Sequence, residues 1–242
     1  NVGDRIPGSV LGVVDYSFNN YKVELLDVPP VVSGGLAQET TVGAPAYQLA
    51  VGTFNVENLA PSDPPSKFST LAGLIVNNLR TPDLLAIEEI QDNTGVADTG
   101  EVDASVTWGM LIGAIQAAGG PAYSYRQINP ANDEDGGATG GNIRVGFLFR
   151  TDRGLAFVDR PGGDATTGTS VTGSGAAAQL TLSPGRVDPT SAAFLDSRKP
   201  LAGEFTFKGE KVFVVANHFN SKGGDQPLYG RYQPPVFSSE VQ

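Results

Sequence analysis

Residues 83–90 read DLLAIEEI, a short apolar run that begins with one acid and closes on two. Apolar runs of this length are typical of buried strands. In layered α/β proteins, the carboxyl ends of such strands often carry the functional side chains. The stretch therefore predicts a buried strand with a functional acid at its end, either Glu88 or Glu89.

The segments on both sides of this run predict further strands and helices. Residues 47–56 read as a buried strand, and apolar residues at helical spacing over 68–79 predict a helix with Ser66 as its N-cap. A second amphipathic helix is predicted over 108–118, before Gly119. β-like runs follow in residues 122–128, 143–150, 155–159 and 201–219, the last with a hairpin at 208–210. This order predicts a layered α/β domain.

The first 45 residues differ in sequence pattern from the rest of the chain. Residues 9–28 read as two short β segments with a turn at Asn19 and Asn20, and proline and glycine pairs follow them. We predict that residues 1–45 are the tail of a small β domain plus a linker. Residues 46–242 then belong to the larger domain.

Composition and charge exclude several classes of protein. The 242 residues, 40 % hydrophobic and 8 % aromatic, can bury a sizeable core. No apolar run approaches the roughly 20 residues that a membrane-spanning helix needs. The absence of cysteine excludes disulfides, thiolate metal sites and cysteine nucleophiles. A net charge of −10 argues against binding polyanions by bulk charge, so action on phosphates would require bound cations.

Polar side chains stand at four of the predicted strand ends. Carboxylate and amide oxygens are ligands that Mg²⁺ prefers, and an imidazole titrates near neutral pH. His218 is the only histidine in the chain. Such a set suits a site that binds a metal ion and a phosphate. Its members are Asn55, Glu89, the pair Asn142 and Arg144, and the pair Asn217 and His218.

These segments, taken in order, resemble successive motifs of one known superfamily. Residues 52–59 (GTFNVENL), 83–92 (DLLAIEEIQD), 140–150 (GGNIRVGFLFR) and 214–225 (VVANHFNSKGGD) look like motifs of the endonuclease/exonuclease/phosphatase superfamily. The resemblance extends from about Tyr47 to the C-terminus and is nearest to secreted bacterial nucleases. It implies a DNase I-like four-layer α/β sandwich, with two β-sheets flanked by helices. The small β domain ahead of it would be an OB-like remnant.

The resemblance also implies roles for individual residues. Aligning Asp83 with the aspartate that opens the family strand makes Glu89 the principal metal ligand. Asn55 matches the asparagine that helps to arrange the metal site, so the implied metal-binding residues are Glu89 and Asn55. His218 matches the catalytic histidine beside the scissile phosphate, so the implied catalytic set is His218, Asn55 and Glu89. The implied ion is Mg²⁺, with Mn²⁺ or Ca²⁺ as alternatives. The expected substrate contacts are Arg144, Asn142, Asn217 and Lys222.

The implied activity is metal-dependent hydrolysis of phosphodiesters by a secreted nuclease that acts on DNA or RNA. Two alternatives stay open: phosphomonoesters or phospholipid head groups as substrates of the same site, and a non-catalytic surface or matrix protein that retains the scaffold. The family completes its site with later GDFN-like and SDH-like motifs, which residues 226–242 do not contain. We therefore expect this chain to be the front part of the catalytic domain, inactive alone and completed by a C-terminal remainder.

Two loops and two acids have less specific interpretations. Residues 129–142 place three consecutive acids, 133–135, before glycines; a solvated turn is favoured over a calcium loop because the regular ligand spacing is missing. Residues 160–196, rich in Gly, Thr, Ser and Ala, predict a long surface loop. Glu88 is expected to face outward from the strand, and Glu57 is expected to be exposed.

Overall fold

The computed structural model describes residues 2–219, which divide into two compact units. One unit comprises residues 2–39 and the other residues 40–219. Lys222, an expected substrate contact, lies outside the described residues. The assignment of residues 1–45 to an OB-like remnant and of residues 46–242 to a catalytic domain stays a prediction.

The smaller unit contains one β-hairpin. β1 (Gly12–Ser17) pairs antiparallel with β2 (Asn20–Leu25). Phe18 and Asn19 form the turn with φ of 51° and 59°. Two successive left-handed residues match the twist of a two-residue hairpin. The turn therefore lies one residue before the predicted position.

The larger unit contains a mixed four-stranded sheet. β3 and β4 are parallel, and the other neighbouring strands are antiparallel. The run that begins at Asp83 forms the second strand, flanked on both sides, as its apolar sequence predicts. In the order β3-β4-β6-β5, the strands are β3 (Val51–Leu59), β4 (Leu84–Ile90), β6 (Arg144–Phe149) and β5 (Ser124–Gln127).

Two helices cover one face of this sheet. α1 (Pro65–Gly73) continues into a π-helical turn, and α2 spans Ser105–Ala117. Proline suits the first helical position because its φ is already helical, so Ser66 lies inside α1 and its predicted role as N-cap is wrong. Gly119, at φ 85°, follows α2 as predicted. No helix within residues 2–219 is long and apolar enough to cross a membrane. The core on this face includes Val56, Phe68, Ile75, Leu85, Ile87, Trp108 and Leu111.

The rest of the larger unit is built from short strands and one long hairpin. β11 pairs antiparallel with β12, and on its other side with β10 and β7. β8 and β9 form a separate pair. The predicted hairpin at 208–210 is confirmed between β11 and β12. The strands are β7 (Leu155–Phe157), β8 (Val171–Thr172), β9 (Gln179–Leu180), β10 (Gly185–Arg186), β11 (Leu201–Phe207) and β12 (Glu210–Ala216).

The two four-stranded sheets pack face to face through an aromatic cluster. Phe147 and Phe149 of β6 meet Phe157 and Phe205 of the second sheet, with ring centroids 5.4 to 6.4 Å apart. Gly203 makes room for these rings, because a Cβ there would lie 2.7 Å from the ring of Phe147. Helices, sheet and sheet thus form successive layers. The predicted α/β fold class is confirmed.

The outer face of the second sheet is covered by part of the segment predicted to be a surface loop. Glu204 of β11 points into this covering and is 1 % exposed. Its carboxylate accepts from Arg160 Nη1 over 2.6 Å and from the backbone N–H of Leu180 over 2.9 Å. A buried carboxylate needs such partners. Leu180, Ser183 and Arg186 of this segment are therefore packed on the domain, whereas residues 170–177 are exposed, as predicted for a surface loop.

Candidate functional site

Irregularities in β3 and β4 lie where the sequence places the site. Asn55 pairs with Glu88, yet the next pair is Leu59 with Ile90, so β3 carries two extra residues. β4 also changes register against β6 between Ile87 and Ile90. Bulges of this kind bend a strand and re-aim its side chains. Two adjacent strands are therefore re-aimed at the same level of the sheet.

The bulges hold three non-glycine residues in the left-handed conformation. Glu57, Asn58 and Glu89 have φ of 58°, 53° and 66°. Each such residue costs about 1 kcal/mol or more and persists only where its surroundings hold it in place. Residues in this conformation concentrate at functional sites. The strained backbone therefore lies at the carboxyl end of β4, the position that its two acids already indicate as functional.

Hydrogen bonds fix the Glu89 carboxylate. Asn55 Nδ2 donates to Oε1 over 2.8 Å, and the backbone N–H of Asn58 donates to Oε2 over 2.9 Å. Asn55 Oδ1 in turn accepts from the backbone N–H of Glu57 over 2.8 Å. Turning the amide over would face its oxygen to the carboxylate and its nitrogen to an N–H, so the network fixes its orientation.

His218 completes the cluster from the second sheet. It follows the end of β12, and its Nε2 lies 3.4 Å from Glu89 Oε1; the two side chains are 13 % and 19 % exposed. Burial, followed by the charge of Arg198, lowers the pKa of His218, while Glu88 and Glu89 act in the opposite direction. The structure thus brings together Asn55, Glu89 and His218, which lie far apart in the sequence. We name these three residues the Glu89 cluster.

Glu88 lies on the same side as the cluster instead of facing outward. Regular alternation places it with Leu84 and Ala86, which face the second sheet. Its Oε1 accepts from Thr53 Oγ1 over 2.7 Å. The bulge at Glu89 then adds the next acid to the same side. The expectation of an outward-facing Glu88 is corrected, and the alternation of β4 was the signal that could have shown it.

Sequence reasoning missed Arg198. Its Nε donates to His218 Nδ1 over 3.3 Å, and its Nη2 donates to the carbonyl of Phe219 over 3.1 Å. Burial lowers the pKa of this guanidinium, while the negative charge of Glu89 raises it. Arg198 lies in an irregular segment just before β11, so neither periodicity nor a strand end marked it.

The structure does not bring Asn142 and Arg144 to the Glu89 cluster. They are 4 % and 2 % exposed, and their hydrogen bonds within residues 2–219 go to other groups. Burial lowers the pKa of Arg144 to about 10. Asn217 is exposed, and its Nδ2 lies 3.5 Å from the carbonyl of Val215. Asn142 Nδ2 donates to Asp92, Asn132 and the Glu101 carbonyl, and Arg144 donates to Asn129 and to the carbonyls of Val102 and Asn142.

The acidic loop over residues 129–142 is tied to the protein by ion pairs. Asp135 is 4 % exposed and pairs with Arg186 over 2.7 Å and with Lys199 over 2.9 Å. Lys199 Nζ also donates to the carbonyl of Glu134. Two cations thus occupy both oxygens of Asp135. The carboxylate of Asp135 therefore has a structural role. This arrangement differs from a solvated turn as well as from a calcium loop.

The Glu89 cluster offers a divalent ion one carboxylate as a ligand. An ionised carboxylate has about four acceptor positions, and Glu89 uses one hydrogen bond per oxygen, so it retains capacity for a cation. Asn55 directs its nitrogen to Glu89 and its oxygen to Glu57, which suits an orienting role. Within residues 2–219, no group of three acids or histidines is arranged as a metal site. Mg²⁺ keeps several waters and takes one or two protein carboxylates, so Glu89 fits as its protein ligand.

Comparisons with known proteins add one structural similarity. No model of a protein family matches the chain. No curated protein matches it either. Among solved structures, the chain is similar to an endonuclease/exonuclease/phosphatase family protein from Leptotrichia buccalis C-1013-b, with a TM-score of 0.41 and 13 % sequence identity. The similarity covers 74 % of this chain and 56 % of that protein, so the chain matches little more than half of its length.

Proposed function

We propose that the Glu89 cluster is the phosphoester-hydrolysing site of a metal-dependent nuclease. The observation that carries the proposal is the convergence of an acid, an amide and an imidazole from β4, β3 and the end of β12. The order of the four sequence motifs supports the same activity. DNA or RNA is the proposed substrate, and secretion is the proposed location.

Each residue of the cluster has a chemical task in this proposal. Glu89 holds Mg²⁺, or Mn²⁺ or Ca²⁺ in its place, and the bound ion supplies charge neutralisation at the phosphate. Asn55 orients the Glu89 carboxylate. His218 donates a hydrogen bond to a phosphate oxygen or to the departing oxygen. Because the chain has a net charge of −10, local cationic groups at the site must attract the phosphate.

The test compares the wild-type chain with Glu89→Gln. A neutral amide is a poorer ligand for a hard dication, so Mn²⁺ affinity, measured by isothermal titration calorimetry, should fall by at least about 100-fold. Glu210→Gln is the matched control, since Glu210 is exposed at the start of β12, at the end opposite to His218. Unchanged Mn²⁺ affinity in Glu89→Gln would remove the assigned ligand.

Hydrolysis is measured in parallel on DNA, RNA, a phosphomonoester and phospholipid vesicles. We expect cleavage of the nucleic acids when the chain is mixed with a polypeptide that carries the GDFN-like and SDH-like motifs. Glu89→Gln should abolish that cleavage, whereas Glu210→Gln should not. Preference for the monoester or the vesicles would replace the proposed substrate, and Mn²⁺ binding without any hydrolysis would favour the non-catalytic scaffold.

A further inference from the structure

Arg198 is a buried cation whose hydrogen bonds lead to the histidine. It is 8 % exposed and forms no ion pair within residues 2–219. Its Nε donates to His218 Nδ1 over 3.3 Å, and its Nη2 donates to the carbonyl of Phe219, the next residue. One guanidinium thus holds the ring of His218 and the backbone beside it. Burying a charge without an ion pair costs free energy. Packing alone therefore does not explain why Arg198 lies against the imidazole of His218.

Neighbouring contacts hold Arg198 in this position. The adjacent Lys199 is anchored to Asp135 over 2.9 Å, and Asp135 is held by Arg186. Gly137 packs closely on the same region: a Cβ at this residue would lie 2.2 Å from Ile143 and 3.8 Å from Arg198 Nη1. Contacts from the acidic loop, residues 129–142, therefore help to hold Arg198 in position.

The chemistry of the two groups determines where the proton of His218 lies. A guanidinium has five N–H donors and no acceptor. His218 Nδ1, which receives the Arg198 hydrogen bond, must therefore be the unprotonated nitrogen. The proton of the neutral ring is then on Nε2, the nitrogen that lies 3.4 Å from Glu89 Oε1.

We propose that Arg198 is a positioning residue that fixes the tautomer and ring plane of His218, so that its Nε2–H is directed at the Glu89 cluster. Groups bonded to the second nitrogen of a functional histidine commonly set its tautomer in this way. The catalytic consequence rests on the proposed hydrolysis, whereas the tautomer itself does not depend on any activity.

The single histidine makes the proposal directly measurable. In a long-range ¹H–¹⁵N spectrum of the ¹⁵N-labelled 242-residue chain, all imidazole signals come from His218. Above the pKa of the ring, we expect Nε2 at the shift of a protonated nitrogen and Nδ1 at the shift of an unprotonated one. Arg198→Met should give shifts averaged between the tautomers. Arg198→Lys, which retains a donor, should restore at least part of the wild-type pattern.

Arg126→Met is the control, because Arg126 forms a partly exposed pair with Asp159, and it should leave the His218 signals unchanged. An unchanged tautomer in folded Arg198→Met would overturn the proposal. Failure of both Arg198 variants to fold would also overturn it, since the residue would then be needed for folding. In the hydrolysis assay, Arg198→Met should lower kcat by about 10- to 100-fold with little change in KM. If the wild-type protein hydrolyses none of the substrates in that assay, the proposed function is contradicted, whereas the result for the tautomer stays valid.

Discussion

The amide nitrogen of Asn55 donates a 2.8 Å hydrogen bond to Oε1 of Glu89. Because Asn55 Oδ1 accepts from Glu57, the amide has one orientation. Asn55→Leu keeps the approximate size and removes both contacts. We expect Mn²⁺ affinity, measured by titration calorimetry, to fall by about 10- to 100-fold. Asn77→Leu, on an exposed helical turn, should not change it; equal affinity in the two variants would contradict the orienting role.

Arg153 should contribute strongly to folding stability. Its Nε lies 2.9 Å from Oδ1 of Asp83, which is fully buried, and its Nη groups donate to three carbonyls of residues 44–48. Arg153→Met leaves the Asp83 charge without its cation, so urea denaturation should show a loss of about 3–5 kcal/mol. Arg126→Met breaks a more exposed pair and should cost less than about 1 kcal/mol. Similar losses in the two variants would be inconsistent with this interpretation.

Arg144 should affect stability without affecting ion binding. Arg144→Met removes the donor to the carbonyls of Val102 and Asn142. It also removes one of the two donors to Asn129 Oδ1, which keeps its hydrogen bond from Gln127 Nε2. We expect the free energy of unfolding to fall by about 2–3 kcal/mol. Mn²⁺ affinity should stay within about 2-fold of wild type, since among residues 2–219 Arg144 forms no hydrogen bond or ion pair with the Glu89 cluster. Loss of Mn²⁺ binding in a folded Arg144→Met protein would instead link Arg144 to the site.

Asp103 should give acid-sensitive stability. The hydroxyl of Ser105 is the main cause that holds the pKa of Asp103 below its ordinary value of 3.8. A lowered folded-state pKa means that this stabilisation is complete above pH 3.8 and disappears as the pH falls through the folded-state value.

Asp103→Asn should therefore lose about 1–2 kcal/mol at pH 7, and its deficit against wild type should shrink towards pH 2. Urea denaturation at both pH values measures this difference. Asp98→Asn, an exposed neighbour, should stay within about 0.5 kcal/mol of wild type at both pH values. A constant deficit across the range would show that ionisation of Asp103 is not its source.

The elements that sequence reasoning predicted well are those whose apolar pattern reports burial directly. The run 84–90 became β4, the helical spacing after Ser66 became α1, and Gly119 ended α2. The run of β4 also led to Glu89, because a strand end can be located from sequence. The wrong N-cap shows the limit, since Ser66 and Pro65 both suit a helix start and the chain used the proline.

The parts of the site that escaped prediction depend on backbone conformation and tertiary contacts. Three residues of the bulges, Glu57, Asn58 and Glu89, adopt positive φ although none is glycine. The bulges could therefore not be predicted from glycine positions. Arg198 reaches a histidine 20 residues further along the chain. Asn142 and Arg144 do stand at the start of a strand, but their side chains turn into the protein. Sequence pattern locates a strand end and does not say where its polar groups point.

A strand usually has to pack its apolar side chains in the core and present its functional side chains within one regular alternation. The bulges in β3 and β4 separate these two requirements. Up to Ile87, the alternation of β4 is dictated by the helices on one side and the second sheet on the other. Glu88 still follows this alternation, and the slip in register then frees Glu89 from the constraint before Ile90 returns to the core. The residue at position 89 can therefore be exchanged without repacking the interior, so this fold can acquire a new activity while leaving its hydrophobic layers unaltered.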